Sequence, residues 1–231
     1  MPTRSKAAAR TTVVCFVRHG TTPTTGKVLP GRARGLHLSE QGHAEADRAG
    51  ERLARLGSVR AVYSSPLERA RETARHVASH LALPVSVDRG LLECDFGEWT
   101  GAELAALRKL DAWDAVQRHP AGFRFPGGES FAELQARIAG AVERLVARHP
   151  DEVVVAVSHA DPIKIAVGDA MGVPLDLVQR TVISPCSISM VAYADGGPTV
   201  LCVNSTGDLP PIARARASTG GRSPAPTGGR A

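Results

Sequence analysis

Residues 13–17 are apolar on consecutive positions and rich in β-branched side chains, as a strand covered on both faces must be. Residues 59–63 and 153–157 share that character. Between the first two, Ser39 is a good cap for a helix running to about Leu56, with Ala44, Ala49, Leu53 and Leu56 as a sparse apolar face. After the second strand, Pro66 suits a first helical position and the helix continues to about Leu81. Phe131, Leu134, Ile138, Val142 and Leu145 repeat at helical spacing until His149-Pro150 ends the run, and Pro162 opens another helix after the third strand. Residues 186–193 and 199–203, separated by Asp195-Gly196-Gly197, read as a closing hairpin. This alternation predicts an α/β fold, a three-layer sandwich with a mostly parallel central sheet flanked by helices.

The composition fits one domain over residues 13–209, with loose ends. The net charge is +5, but Arg4, Lys6 and Arg10 place +3 in residues 1–12, and Arg214, Arg216, Arg222 and Arg230 place +4 in residues 210–231. The remaining domain is therefore at −2, which argues against a nucleic-acid partner. Residues 210–231 hold almost no large apolar side chain, so the expectation is a disordered basic tail after a flexible basic N-terminus of residues 1–12. Cys15, Cys94, Cys186 and Cys202 show no CxxC pairing and read as buried free thiols in a reducing compartment. The short apolar run at 12–17 leads into Arg18-His19-Gly20 without a small-residue cleavage site, and no apolar run approaches membrane-spanning length. The expected protein is cytoplasmic, without a membrane partner; nothing in the chain forbids a homo-oligomer.

Chemistry concentrates where the strands end. Arg18-His19-Gly20 follows the first strand, His159 follows the third, and Arg69 lies in the first turn of the helix after Ser64-Ser65-Pro66. Open parallel sheets bind ligands at the carboxyl ends of their strands. Two guanidiniums and two imidazoles brought to one sheet edge suit a phosphate group, because arginine forks match phosphate oxygens. By residue patterns alone this is an anion site with histidines.

Arg18-His19-Gly20 with Thr22, Gly31-Arg32, the segment 38–42, and Ser65-Pro66-Leu67 with Arg69, Ala70 and Thr73 resemble the histidine phosphatase superfamily, which includes the cofactor-dependent phosphoglycerate mutases. Segment 92–99 (Leu-Glu-Cys-Asp-Phe-Gly-Glu-Trp) and Val157-Ser158-His159 are similar to the remaining motifs of that family, and the resemblance spans about residues 13–205. It implies a phosphoglycerate mutase-like fold in which a neutral His19 attacks phosphorus in line. Arg18, Arg69 and His159 hold the equatorial oxygens, His159 being protonated when phosphate is bound. Glu93 gives a proton to the leaving alcohol and later takes one from water, and Phe96 and Trp99, read mainly as packing residues, raise its pKa by desolvation. The implied partner is a small phosphate ester, with no cofactor and no metal.

Two positions depart from the family pattern. Thr25 stands where an asparagine commonly donates to the phosphate, and Ala160 replaces the usual glycine after the second histidine. Each retains a donor, the Thr25 hydroxyl and the Ala160 backbone N–H. Arg32 borders the expected site and is a candidate substrate contact. His76 and His80 have i, i+4 spacing suited to zinc, yet no carboxylate or cysteine in the sequence clearly completes a set. His37, His43, His119 and His149 read as solvent-facing. Pro126-Gly127-Gly128-Glu129-Ser130 resembles the phosphatase branches more than the mutases. The favoured reading is a phosphatase; a mutase and a catalytically silent binding protein are the alternatives. Residues 101–125, which should select the substrate, follow no readable code.

Overall fold

The computed structural model describes residues 10–212. Six strands, β1 (Thr11–Arg18), β2 (Val59–Ser64), β3 (Val85–Val87), β4 (Val153–Ser158), β5 (Ile188–Ala194) and β6 (Gly197–Ser205), form one sheet in the order β3-β2-β4-β1-β5-β6. The first four pair in parallel; β5 and β6 form an antiparallel hairpin that extends the sheet from β1. The helices are α1 (Glu40–Ala54), α2 (Glu68–Leu81), α3 (Leu104–Leu107), α4 (Asp111–Arg118), α5 (Phe131–Arg148) and α6 (Ala160–Ala170).

The period of two along β1 divides the core. Val14 and Phe16 pack on one face with Leu134 and Ile138 of α5 and Ile163 and Ile165 of α6. Val13, Cys15 and Val17 pack on the other with Ala46, Ala49 and Leu53 of α1 and Ala70, Ala74 and Val77 of α2. Both faces are covered, so β1 and β4 need apolar residues at every position, and this produces the consecutive runs in the sequence.

Several boundaries differ from the sequence expectation. Thr11 and Thr12 belong to β1, and the Thr12 hydroxyl donates to the His149 carbonyl at 2.7 Å, so the domain begins before residue 13. Leu209 and Ile212 are partly buried against the α1–α2 side of the core, so the domain also runs past 209; residues 1–9 and 213–231, most of both expected tails, lie outside the described residues. Pro66 precedes α2, whose cap is Leu67, and Pro162 is the third residue of α6. Ala44 is exposed while Gly42, Ala46 and Gly50 face inward; a methyl on Gly50 would collide with the His80 ring and the His76 carbonyl of α2. His149 is not solvent-facing: its Nε2 meets the Tyr63 hydroxyl at 2.8 Å and its Nδ1 meets Glu152 at 2.7 Å. The hairpin and the Ser39 cap are as expected, and the four cysteines are free, with Cys15, Cys94 and Cys186 buried but Cys202 only partly so; Cys186 falls just before β5. Among the described residues no helix is long and apolar enough to cross a membrane.

Gly42, in the first turn of α1, sets the loop that follows β1. A methyl group there would overlap the Thr21 carbonyl oxygen, which accepts from the Ser39 N–H and hydroxyl. Thr21 also donates its N–H and hydroxyl to Glu45 of α1. Gly42→Ala must push this loop away from the helix, so urea denaturation should show a loss of roughly 1–3 kcal/mol. Residues 19–22 move with it, so turnover should fall as well; unchanged stability would show that the loop yields without cost.

Candidate active site

Register brings the two histidines together. Arg18 of β1 pairs with Ser158 of β4, and Ser64 of β2 pairs with Val157, so His19, His159 and Ser65 leave adjacent strands at one level. The His19 N–H donates to the Ser158 carbonyl at 2.9 Å, and the imidazole centroids lie 5.1 Å apart. Arg69, in the first turn of α2, is fully buried beside them; its Nε donates to His19 Nε2 at 3.3 Å and one terminal nitrogen to the Gly31 carbonyl at 2.7 Å. Arg18 donates to the Ile183 carbonyl at 2.7 Å. The sequence-predicted His19, Arg18, Arg69 and His159 thus share one sheet edge.

The hydrogen bonds assign the protonation state. His19 Nδ1 lies 2.8 Å from the Gly20 carbonyl and must carry the proton there, which leaves Nε2 a lone pair that accepts from Arg69. Burial, then the charges of Arg69 and Arg18, hold the His19 pKa well below the ordinary histidine value. The same burial and the charge of Arg69 depress His159, whose Nε2 meets the Ser65 hydroxyl at 2.8 Å. His159 is therefore neutral here; the charge expected of it requires an anion to be bound. Six buried side-chain polar atoms among the described residues have no hydrogen-bond partner, and three of them are Arg18 Nε, an Arg69 terminal nitrogen and His159 Nδ1. The two guanidinium nitrogens are donors, and leaving buried donors unpaired is costly, so their position beside His19 suits an anion.

Glu93 comes to the same cavity on the loop after the short 3-10 turn Arg89–Leu91. Its carboxyl is pushed up to about 7, first by burial and then by the negative charge of Asp161. Phe96 lines the cavity beside it and packs edge-on against Phe125, while Trp99 packs on Phe125 and Trp113 without lining the cavity. Asp161 was not foreseen. It stands in the first turn of α6, two residues after His159, and pairs with Lys164 at 3.2 Å.

The cavity measures about 400 Å³. Beyond the phosphate end it is walled by Leu29, Leu104, Trp113, Val116 and Ile183, with Arg108, Gln117, Lys164 and Gln179 as its polar groups. Residues of α3 and α4 share this wall with segments 26–30 and 179–183.

The remaining sequence candidates divide. Ala160 is the first residue of α6 and lines the cavity, where the unsatisfied N–H groups of a helix N-terminus favour an anion. Thr25 lines the cavity too, but its hydroxyl is engaged within its own loop, accepting the Thr22 N–H at 2.9 Å and meeting the Thr22 hydroxyl at 3.0 Å. Arg32 is corrected: it does not line the cavity but donates to the Glu93 carbonyl at 2.9 Å and pairs with Asp95 and Glu129. Arg137 of α5, unnoticed in the sequence, donates to the carbonyls of Gly90, Leu92 and Glu93 and pairs with Glu129 at 2.8 Å. Arg32, Arg137 and Glu129 together fix the Glu93 loop from behind. Glu129 was visible only as part of a motif, and Arg137 had no sequence signal beyond being a charge on the inward side of an apolar helix.

The model of the histidine phosphatase superfamily (branch 1) matches residues 14–206. The chain belongs to this superfamily. A bifunctional protein of Mycobacterium tuberculosis is 35% identical over 214 residues, 86% of this chain but 55% of its own length, so the chain spans about half of that relative. Phosphoserine phosphatase 1 of Hydrogenobacter thermophilus is 29% identical over 189 residues, covering 76% of this chain and 85% of that protein. Among solved structures, a mycobacterial glucosyl-3-phosphoglycerate phosphatase superposes with a TM-score of 0.76 at 26% identity, covering 85% of this chain and all of the other. The fold is thus the phosphoglycerate mutase-like α/β fold of that superfamily, which the solved phosphatase shares.

The raised carboxyl of Glu93 has a stability consequence. Folded Glu93 binds its proton more tightly than the unfolded chain, where the value is near 4.5, so its contribution is full below pH 4.5 and is lost as pH rises through about 7. Glu93→Gln carries no titrating proton. The stability of wild type relative to this variant should therefore fall between pH 4.5 and 8, by up to about 3 kcal/mol. A difference that stays flat across that range in chemical denaturation would mean that Glu93 is an ordinary solvated carboxylate.

Proposed function

We propose that the protein is a phosphatase that hydrolyses phosphate monoesters through a phosphohistidine at His19. The observation that carries this reading is the neutral His19, its Nε2 lone pair beside the unpaired donors of Arg18 and Arg69. His19 Nε2 forms a bond to phosphorus as the ester oxygen departs on the opposite side. Arg18, Arg69 and His159 stabilise the charge on the equatorial oxygens, and the helix N-terminus at Ala160 adds to their field. The incoming phosphate raises the pKa of His159, which becomes a charged donor once the anion lies against it. Glu93, protonated near neutral pH, gives its proton to the leaving alcohol oxygen. Water then attacks the phosphohistidine, Glu93 takes back a proton, the N–P bond breaks and orthophosphate is released. Hydrolysis is favoured over phosphoryl return by the Pro126–Ser130 motif and by relatives named as phosphatases.

The test is one preparation assayed both for orthophosphate release from several unrelated monoesters and for interconversion of 2- and 3-phosphoglycerate with a bisphosphoglycerate primer. Phosphate release is expected without the primer, and His19→Ala should abolish it with the fold intact. Primer-dependent isomerisation that outruns phosphate release would replace the phosphatase reading by a mutase. More than a few per cent of turnover left in His19→Ala would remove the proposed nucleophile.

Glu93→Gln keeps the shape and loses the proton. It should slow alkyl phosphates by about 10²–10⁴-fold and slow an aryl ester far less, because a good leaving group needs no protonation. In wild type, turnover of alkyl esters should decline as pH rises through about 7, where Glu93 loses that proton. Equal losses on both ester types would assign Glu93 a structural role.

A further inference from the structure

Away from the phosphate end, the catalytic cavity is walled by apolar side chains from four separate segments. Leu29 comes from the loop after β1, Leu104 from α3, Trp113 and Val116 from α4, and Ile183 from the stretch before β5. Val116 and Ile183 are buried, whereas Leu29, Leu104 and Trp113 are only partly buried and keep apolar surface available to the cavity. Trp113 stacks on Trp99 with ring centroids 6.3 Å apart, which orients its indole. Val182, next to Ile183, also lines the cavity and is 67% exposed, so the apolar surface continues outward to the rim.

The cations of this region are poorly placed to hold a second anion. Lys164 Nζ lies 3.2 Å from Asp161 Oδ1 and 2.7 Å from Gln179 Oε1, and the Lys164 and Asp161 side chains are only 17% and 16% exposed. A carboxylate on the substrate would have to take Lys164 from Asp161 and leave that largely buried acid unpaired. Arg108 is exposed to solvent, where its attraction for an anion is screened.

We infer, resting on the phosphatase reading, that the preferred substrate is the phosphate monoester of a bulky apolar alcohol, whose hydrocarbon portion packs on this wall. The cavity volume of about 400 Å³ is that of a pocket that encloses a whole small ligand, and an apolar lining with few polar groups suits such a ligand. Each methylene moved from water onto the wall contributes about fourfold in affinity. The alcohol leaves with the Glu93 proton as from any monoester, so the wall acts on recognition and not on the bonds that form and break.

The experiment measures kcat/KM of the full chain for ethyl phosphate, 2-phenylethyl phosphate and 3-phosphoglycerate. The first two release primary alcohols of similar basicity, so the difference between them reports recognition. 2-Phenylethyl phosphate should exceed each of the other two by about tenfold or more. Trp113→Ala should cut its advantage over ethyl phosphate roughly fivefold, and Leu29→Asn is the second variant should Trp113→Ala fold poorly. Calorimetry with 2-phenylethylphosphonate and ethylphosphonate, which cannot be hydrolysed, should give the same order of affinity. Phosphate release from ethyl phosphate or 3-phosphoglycerate that matches release from 2-phenylethyl phosphate would overturn the inference and leave the phosphatase reading in place. Equal affinity for the two phosphonates, or an advantage undiminished in both variants, would overturn it as well. No orthophosphate from any ester would remove the phosphatase reading and the substrate assignment with it.

Discussion

Burial of the Arg69 guanidinium beside His19 is the constraint on which the rest of the structure depends. A charged side chain with no exposed surface is expensive unless its donors are met, and Arg69 is met by the Gly31 carbonyl and by the lone pair of His19, with one terminal nitrogen left unpaired. That arrangement fixes the tautomer of His19 and keeps both imidazoles neutral, because a further positive charge next to Arg18 and Arg69 would lie in a region that water does not reach. The site is thus rich in positive charge and in donors.

A second constraint acts on Glu93, which must be close to those cations and still hold a proton. Close cations favour its ionised form; burial and Asp161 oppose them and prevail. The loop bearing Glu93 cannot drift toward the arginines because its backbone carbonyls are held from behind by Arg32 and Arg137, which are tied in turn to Glu129. Gly97 and Gly128 let the loop and the 126–128 turn touch backbone to backbone, where a side chain on either would collide. The Pro126–Ser130 segment therefore helps to set the geometry of the Glu93 loop.

The residues closest to the chemistry were legible in the sequence because they belong to short motifs at strand ends, where the peptide directions are set by the sheet. Arg18, His19 and His159 could be placed from the strands alone, and Arg69 from the helix that follows β2. Their supporting residues were not. Arg137 looks like any arginine on an amphipathic helix, and Asp161 looks like an acid in a first turn; what makes each matter is a loop 44 residues distant in one case and a carboxylate 68 residues distant in the other. Arg32 borders the site as expected, but its position in the chain does not say whether its guanidinium faces the cavity or the loop behind Glu93, to whose carbonyl it donates.

The sequence by itself determined the layers, the parallel core of the sheet and the sheet edge that carries the histidines. Consecutive apolar positions and helical periodicity are local properties, and both are dictated by which faces must be hidden from water. Only the tertiary structure decided the electrostatics and the partners. Packing of α1 on α2 brought His43 and Asp47 to His76 and His80, and α3 and α4 walled a cavity whose sequence follows no pattern. Those outcomes depend on distances between segments far apart in the chain, and the composition of either segment alone cannot encode them.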